Sequence, residues 1–259
     1  VAGFSGGGGG FSGDGGPATA AQFANPWDAA FDAGGNMYIA DGFNNRIRKI
    51  NTSGIVTTIA GNGSGTYSGD GVAATATSIN YPQGVTIGPD GNLYIADGNN
   101  SRIRKVDLTS GIITTVAGTG TPGFSGDGTA ATLAAIYIPS KVRFDAAGNM
   151  YIADRGNARV RKVNTSGIIS TFAGGGGSFS DGVPATATAL SNIYGLDVDG
   201  AGNVFIGDVG INKVRVVAAS TGIITTIAGT GGGYCCDGSP ATAAGMQVVP
   251  VMVYGGNLY

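Results

Sequence analysis

Histidine and glutamate are both missing: all 16 acidic side chains among the 259 residues are aspartate. Their absence removes most general-base, metal-ligand and carboxylate-pair chemistry before any motif is considered. Without histidine no Ser-His-Asp or Cys-His nucleophile can form, and Ser-Lys pairs show no recurrent local pattern. No catalytic residue and no cofactor is therefore expected, and the chain is read as a protein that is not an enzyme. Charge is scarce, at 12% of residues with a net −2. That gives no general pull towards nucleic acid or an anionic membrane. No apolar run reaches the 18 or so residues of a membrane-spanning helix, so no membrane insertion is expected. The only two cysteines, Cys235 and Cys236, are neighbours. They cannot staple distant segments, and a bond between them closes a small strained ring. They stand where other repeats carry Ser-Gly, so two small substitutes are the plainer reading and a redox pair the sharper one.

What is abundant is glycine, 50 residues, set at fixed places among apolar and β-branched runs that bring the hydrophobic share to 42%. GNMYIAD at 35–41 returns as GNLYIAD at 91–97, GNMYIAD at 148–154 and GNVFIGD at 202–208, with GNLY at 256–259. The Asn positions 36, 92, 149, 203 and 257 are 56, 57, 54 and 54 residues apart. A fixed period of this size marks one supersecondary unit copied several times. The chain opens on VAG, the end of a repeat, without an initiator Met, and closes inside a strand pattern. It is therefore expected to be a piece of a longer protein.

Each unit reads as four short strands. Trp27, Ala29 and Phe31 alternate with Asp28 and Ala30, the period of a strand. DAGGN at 32–36 then supplies a tight turn. Met37 to Ala40, RIRKI at 46–50 and the β-branched IVTTIAG at 55–61 complete an antiparallel meander. Between units runs a linker of the form DGGPATAAQF, begun by Asp14, Asp70, Asp127, Asp181 and Asp237. Nine residues after each Asp stands an apolar residue: Phe23, Ile79, Ile136, Leu190 and Met246. Asp before Pro or Ala and an Ala-rich stretch predicts one helical turn whose last apolar residue docks on the sheet. Four-stranded units at a regular period bury their faces by radial stacking, which predicts an all-β propeller. Blades are expected at about 26–61, 82–118, 139–174 and 193–229, with a partial fifth at 248–259.

GNMYIADGFNNRIRKI, GNLYIADGNNSRIRKV and GNMYIADRGNARVRKV resemble the NHL repeat, and the linker is similar to that of long-repeat NHL proteins among secreted bacterial polypeptides. The resemblance covers essentially the whole chain. It implies a propeller closed at about six blades, more than the chain itself carries. It implies little about function, since relatives include enzymes, RNA binders and extracellular sensor or adhesion modules. The enzymatic relatives use metal-bound His or a Glu, and this chain has neither to map onto those sites.

Eleven of the 14 basic residues fall on the third strands: Arg46, Arg48, Lys49, Arg102, Arg104, Lys105, Arg159, Arg161, Lys162, Lys213 and Arg215. A basic ring for a polyanion is one reading. Structural ion pairs are favoured by the equal spacing, with Asp41, Asp97, Asp154 and Asp208 matched to Arg46, Arg102, Arg159 and Lys213. For Asp14, Asp70, Asp127, Asp181 and Asp237 the readings are turn closing and helix capping, or a calcium site. The glycine runs at 6–10 and 174–177 lack the Lys-Ser/Thr of a phosphate loop and read as spacers or tight turns. Asn51, Asn62, Asn99 and Asn164 open Asn-x-Ser/Thr triplets. The function expected is an extracellular or cell-surface binding or scaffolding module for a protein or glycan. The alternatives are a calcium-dependent propeller lyase or hydrolase using Asp residues, and a filament subunit that self-associates through unpaired blade edges.

Overall fold

The computed structural model describes residues 10–247, 251–254 and 257–259. Four antiparallel sheets repeat the predicted meander. In the first, β1 (Pro26–Phe31), β2 (Met37–Asp41), β3 (Arg46–Ile50) and β4 (Val56–Ala60) lie in chain order. A short β5 (Val72–Ala73) precedes β6 (Pro82–Ile87), β7 (Leu93–Asp97), β8 (Arg102–Val106) and β9 (Ile112–Ala117) of the second. The third holds β10 (Pro139–Phe144), β11 (Met150–Asp154), β12 (Arg159–Val163) and β13 (Ile169–Ala173). The fourth adds β14 (Val183–Pro184) to β15 (Ile193–Val198), β16 (Val204–Asp208), β17 (Lys213–Val217) and β18 (Ile223–Ala228). The sheets are the blades of an all-β propeller. Of the expected partial fifth blade, residues 248–250 and 255–256 lie outside the described residues. The described part forms a hairpin of β19 (Val253–Tyr254) and β20 (Asn257–Leu258).

The chain divides into two compact units, Val1–Pro122 with Ala135–Val142 and Gly123–Ala134 with Arg143–Tyr259. In the first, Tyr38, Ala40, Ile47, Ile79, Val85, Leu93, Ile95 and Ile113 form one buried cluster. In the second, Tyr151, Val160, Leu190, Leu196, Val204, Ile206 and Ile224 do the same. Consecutive residues of β2, Tyr38 to Asp41, are all buried. A middle strand covered on both faces loses the alternation that an exposed sheet would show.

The linkers depart from the predicted helical turn. Three of them contain a 3-10 turn, Ala18–Ala20, Ala131–Leu133 and Ala185–Ala187, and none has a side-chain cap. Each turn begins four residues after its Asp, too far for that carboxylate to reach the first free N–H groups. Instead the linker lies along the outermost strand of the blade that follows it. β5 pairs with β9, β14 with β18, and single bridges join Pro17 to Ile55 and Ala130 to Ile168. This covers outer strands that would otherwise expose unpaired backbone groups. The apolar residue nine places on does dock: Ile79 and Ile136 are fully buried and Leu190 nearly so.

One glycine per repeat is fixed by this packing. Gly61, at φ +85°, would with a Cβ overlap the Asn45 carbonyl and approach Ile79 Cγ1 to 2.8 Å. Gly118, Gly174 and Gly229 meet the carbonyls of Ser101, Ala158 and Asn212 in the same way. That is why every outer strand ends in Ala-Gly.

Candidate functional site

The repeated charged residues form one device per blade. Arg48 is fully buried. Its Nη2 lies 2.7 Å from Asp14 Oδ1 and its Nη1 3.5 Å from Asp41 Oδ2, and it donates to the carbonyls of Ser12 and Gln22. Arg104 joins Asp70 at 2.8 Å and Asp97 at 3.5 Å, and Arg161 joins Asp127 at 2.6 Å and Asp154 at 3.5 Å. Arg215 meets Asp181 at 2.7 Å. An aromatic side chain three residues before the linker Asp closes the clasp. Phe11, Tyr67 and Phe124 lie under the guanidinium pairs Arg46–Arg48, Arg102–Arg104 and Arg159–Arg161, at 3.8–5.0 Å from ring centre to Cζ. The signal is legible as [Phe/Tyr]-Ser-Gly-Asp, and the sequence reading passed over its aromatic member.

The structure assigns the partners differently from the expected pairing. Asp41, Asp97, Asp154 and Asp208 do stand opposite Arg46, Arg102, Arg159 and Lys213 in strand register. The guanidiniums that reach Asp41, Asp97 and Asp154, however, are Arg48, Arg104 and Arg161. Asp41 turns back under the 42–44 turn, where the Ala24 N–H and Asn44 Nδ2 bind it at 2.7 and 2.8 Å. A cation can approach that position only from two residues further along β3. Arg46 instead donates to the carbonyls of Asn44 and Asn62, Arg102 to those of Asn100 and Thr119, and Arg159 to that of Asn157. Lys213 makes no ion pair among the described residues.

Burial pushes the Asp97 carboxyl up to about 6, against the Asn80 N–H, the Asn100 amide and Arg104, which favour its charge. Burial raises Asp41 and Asp208 as well. At Asp127 and Asp181 burial is outweighed by hydrogen bonds from Thr171 or Thr226 and by the arginine, so both fall below the usual range. The weighed calcium residues are thus held by guanidinium at Asp14, Asp70, Asp127 and Asp181. Asp237 accepts from the Tyr234 hydroxyl at 2.6 Å. Among the described residues no three His, Cys, Asp or Glu side chains gather.

A second repeated device anchors the organising motif. Asp32 accepts from Asn36 N and Nδ2 and from the Tyr38 hydroxyl at 2.8–2.9 Å, and Asp145 does the same for Asn149 and Tyr151. The Asn in GN-x-Tyr is therefore a turn lock. Of the glycine runs, residues 6–9 lie outside the described residues. In 174–177, a Cβ on Gly176 would collide with the Ala187 carbonyl, which makes this a close-approach turn. Asn51, Asn62, Asn99 and Asn164 are all exposed. Cys235 and Cys236 are joined to one another as a disulfide.

Two features stand outside the repeat. The first is a buried pair on the inner strands of the first unit, with Lys141 Nζ 2.5 Å from Asp28 Oδ1 while Asp28 Oδ2 accepts the Val85 N–H at 3.0 Å. The second is a cleft of about 360 Å³ beside the 42–44 and 98–100 turns, lined by Gly42, Phe43, Asn45, Asn80, Tyr81 and Asn99. Phe43 stacks on Tyr81 with centroids 5.4 Å apart, and Trp27 meets Tyr81 edge-on at 5.9 Å. Tyr81 holds a left-handed backbone, φ +53°, with its N–H on Asn45 Oδ1 at 2.8 Å. Asn99 Nδ2 donates to Asn80 Oδ1 at 3.2 Å. The sequence signal for the cleft was negative: Phe43, Asn80 and Tyr81 stand where the repeat fails to repeat. Phe43 corresponds to Asn99, Gly156 and Gly210, and Trp27 to Gln83, Ser140 and Tyr194.

Four-stranded antiparallel blades joined by such linkers define the β-propeller class. Within that class, the teneurin NHL domain family matches residues 9–68 and 62–123. NHL repeat-containing protein 2 of Gallus gallus is 39% identical over 97 residues, 37% of this chain and 13% of its own length. The Arabidopsis thaliana protein SUPPRESSOR OF QUENCHING 1, chloroplastic, is 29% identical over 213 residues, 76% of this chain and 20% of its own length. The repeats of this chain are similar to those of NHL-repeat proteins, and the chain spans a fifth or less of these curated relatives.

Solved propellers of similar fold include an auxiliary nutrient binding protein of Bacteroides ovatus, with TM-score 0.63 and 15% identity over 88% of this chain and 53% of that one. A protein assigned as a gluconolactonase gives 0.59 and 13% over 91% and 71%. A catalytically inactive virginiamycin B lyase of Staphylococcus aureus gives 0.54 and 17% over 88% and 59%. These correct the expectation that the chain is not an enzyme. The fold is one that carries lyases, and the absence of His and Glu narrows the chemistry without removing catalysis as a class.

Proposed function

We propose that this segment is an NHL-propeller binding module that holds a protein or glycan partner outside the cell or on its surface. The observation that carries the reading is the division of labour between residues. Side chains that recur in every blade are consumed internally, as the clasp of Arg48 on Asp14 and Asp41 and its counterparts show. An exposed aromatic and a pair of carboxamides bonded only to each other among the described residues appear where the pattern breaks, at Phe43, Asn80 and Asn99. The four exposed Asn-x-Ser/Thr sites and the joined Cys235–Cys236 pair fit an oxidising, extracellular setting.

The test is direct binding of the full chain to immobilised glycans and to purified extracellular matrix proteins, with and without Phe43→Ala. Saturable binding that the substitution weakens supports the module. Saturable binding to neither class, or binding indifferent to the substitution, sinks it.

A further inference from the structure

The cleft between the 42–44 and 98–100 turns has a composition that points to one ligand class. Its floor is aromatic: Phe43 is 65% exposed with one face on Tyr81 and the other open. Its rim is built of carboxamides, Asn45, Asn80 and Asn99. An amide side chain offers a donor and an acceptor side by side, a match for vicinal hydroxyl groups. Among the described residues no Lys, Arg or Asp lines it. A volume of about 360 Å³ suits a small molecule or the end of a chain, not a protein face.

Three further observations point to a built site. Tyr81 shares its left-handed backbone with Asn25 and Ile138 at the equivalent positions, but here its N–H is held by Asn45 Oδ1 at 2.8 Å, which fixes the ring beneath Phe43. Gly42 packs so closely on Trp27 that a Cβ would lie 2.6 Å from Cδ1, which fixes the turn carrying Phe43. Behind the other turn, Gln83 is 2% exposed and neither atom of its amide is hydrogen-bonded among the described residues. A Cβ on Gly98 would come within 2.9 Å of Gln83 Nε2. Gln83 thus backs the turn that carries Asn99 and holds it against the cleft.

We propose that this cleft binds a neutral pyranose, with the apolar face of the sugar on Phe43 and its hydroxyls on Asn80 and Asn99. The proposal rests on the binding-module reading and narrows it to one site and one chemistry. A nucleobase could also stack on Phe43, but nucleotide recognition draws most of its affinity from cations on phosphate. The arginines that follow the two turns are spent elsewhere, Arg46 on the carbonyls of Asn44 and Asn62 and on Phe11, and Arg102 on those of Asn100 and Thr119 and on Tyr67.

The molecule carries its own reporter, since Trp27 is the only tryptophan and sits against Tyr81. The full chain is titrated with glucose, galactose, mannose, N-acetylglucosamine and their β-linked oligomers while Trp27 emission is followed. Saturation-transfer NMR on the same sugars gives an independent readout. A saturable response to at least one neutral saccharide is expected, weakened about tenfold or more by Phe43→Ala and severalfold by Asn99→Ala. Leu133→Ala, at an exposed apolar residue remote in sequence, leaves it unchanged, and melting of all three variants verifies folding. No response to any neutral saccharide overturns the proposal, as does a response that Phe43→Ala leaves intact. Preference for adenosine or uridine over every sugar overturns it in favour of a nucleobase site. Protein binding that persists while all sugars fail leaves the module reading standing and removes this one.

Discussion

Arg48 and Asp14 are 34 residues apart in sequence and 2.7 Å apart in space, and the same separation recurs for Arg104–Asp70, Arg161–Asp127 and Arg215–Asp181. The arginine belongs to the third strand of a blade and the aspartate to the linker that enters it. The clasp therefore fastens each connection onto the blade it precedes. Removing one partner of a buried pair leaves an uncompensated charge, which costs about 3–5 kcal/mol. Arg104→Ala should lower stability by that amount in urea unfolding. Arg102→Ala, two residues away on the same strand, gives up only carbonyl contacts and a ring face and should cost about 1 kcal/mol. Equal losses for the two would refute the assignment of Arg104 as the buried clasp.

Acid should act on the two classes of aspartate in opposite directions. Asp97 titrates at about 6 in the fold against 3.8 for the free side chain, so the native state takes up its proton first. The contribution of this group to stability thus rises as pH falls from about 6 to 3.8. Asp90, pulled to about 2 by Lys105, Asn92 and Tyr94 against the opposing effect of burial, contributes stability above 3.8 that is lost as pH drops towards 2. Urea midpoints across this range should show Asp97→Asn altering the slope between about 4 and 6 only, and Asp90→Asn altering it below about 4 only. A change in the wrong window for either variant would contradict the assigned environments.

The repeat glycines separate backbone strain from steric collision. Gly71 and Gly61 both hold a left-handed backbone, φ +76° and +85°, but a Cβ on Gly71 meets nothing within 4 Å. Gly71→Ala should cost about 1–2 kcal/mol, the left-handed penalty alone. Gly61→Ala should cost clearly more, because the Asn45 carbonyl and Ile79 are already in the way. Thermal melting of the pair decides it, and similar losses would mean that the linker can move aside.

The strand order and the meander were legible because the repeat presents the same alternation and turn residues four times over. Two kinds of fact were not. The partner of Asp41 depends on a turn of the backbone at 42–44 that brings Asn44 and Arg48 onto its carboxylate, and strand register alone points to Arg46 instead. The path of the linker was hidden because an Ala-rich stretch after Asp looks like a helix start. Pairing with the outer strand at Val72–Ile113 and Val183–Ile224 is a tertiary choice that local propensity does not register. The cleft at Phe43 and Tyr81 is formed by residues from neighbouring blades that no local motif joins.

Metal removal should leave the fold untouched. Calcium would have to compete with Arg48, Arg104, Arg161 and Arg215, which hold one oxygen of each loop carboxylate at 2.6–2.8 Å. Each loop offers a single carboxylate, and among the described residues no three His, Cys, Asp or Glu side chains gather to complete a coordination shell. The melting temperature in EDTA and in millimolar calcium should therefore agree within about 1 °C, since saturating a native-state site at about 100 times its Kd would add some 2.7 kcal/mol. A calcium-dependent rise would restore the SGDG loops as metal ligands.

The Asp28–Lys141 pair offers the sharpest distinction between a structural and a functional charge. Both side chains are nearly buried, and Asp28 also accepts the Val85 N–H, so it ties three inner strands of the first unit together. If that tie is its role, Asp28→Ala and Lys141→Met should each cost about 3–5 kcal/mol by stranding the other charge. The double substitution should then cost far less than the sum, because it strands neither charge. The stability cycle alone would show this, and binding at Phe43 would not change once the fold is restored in the double variant. If the double variant were stable but bound nothing that the parent binds, the pair would belong to the ligand site, and its charges would have to be counted in the recognition chemistry.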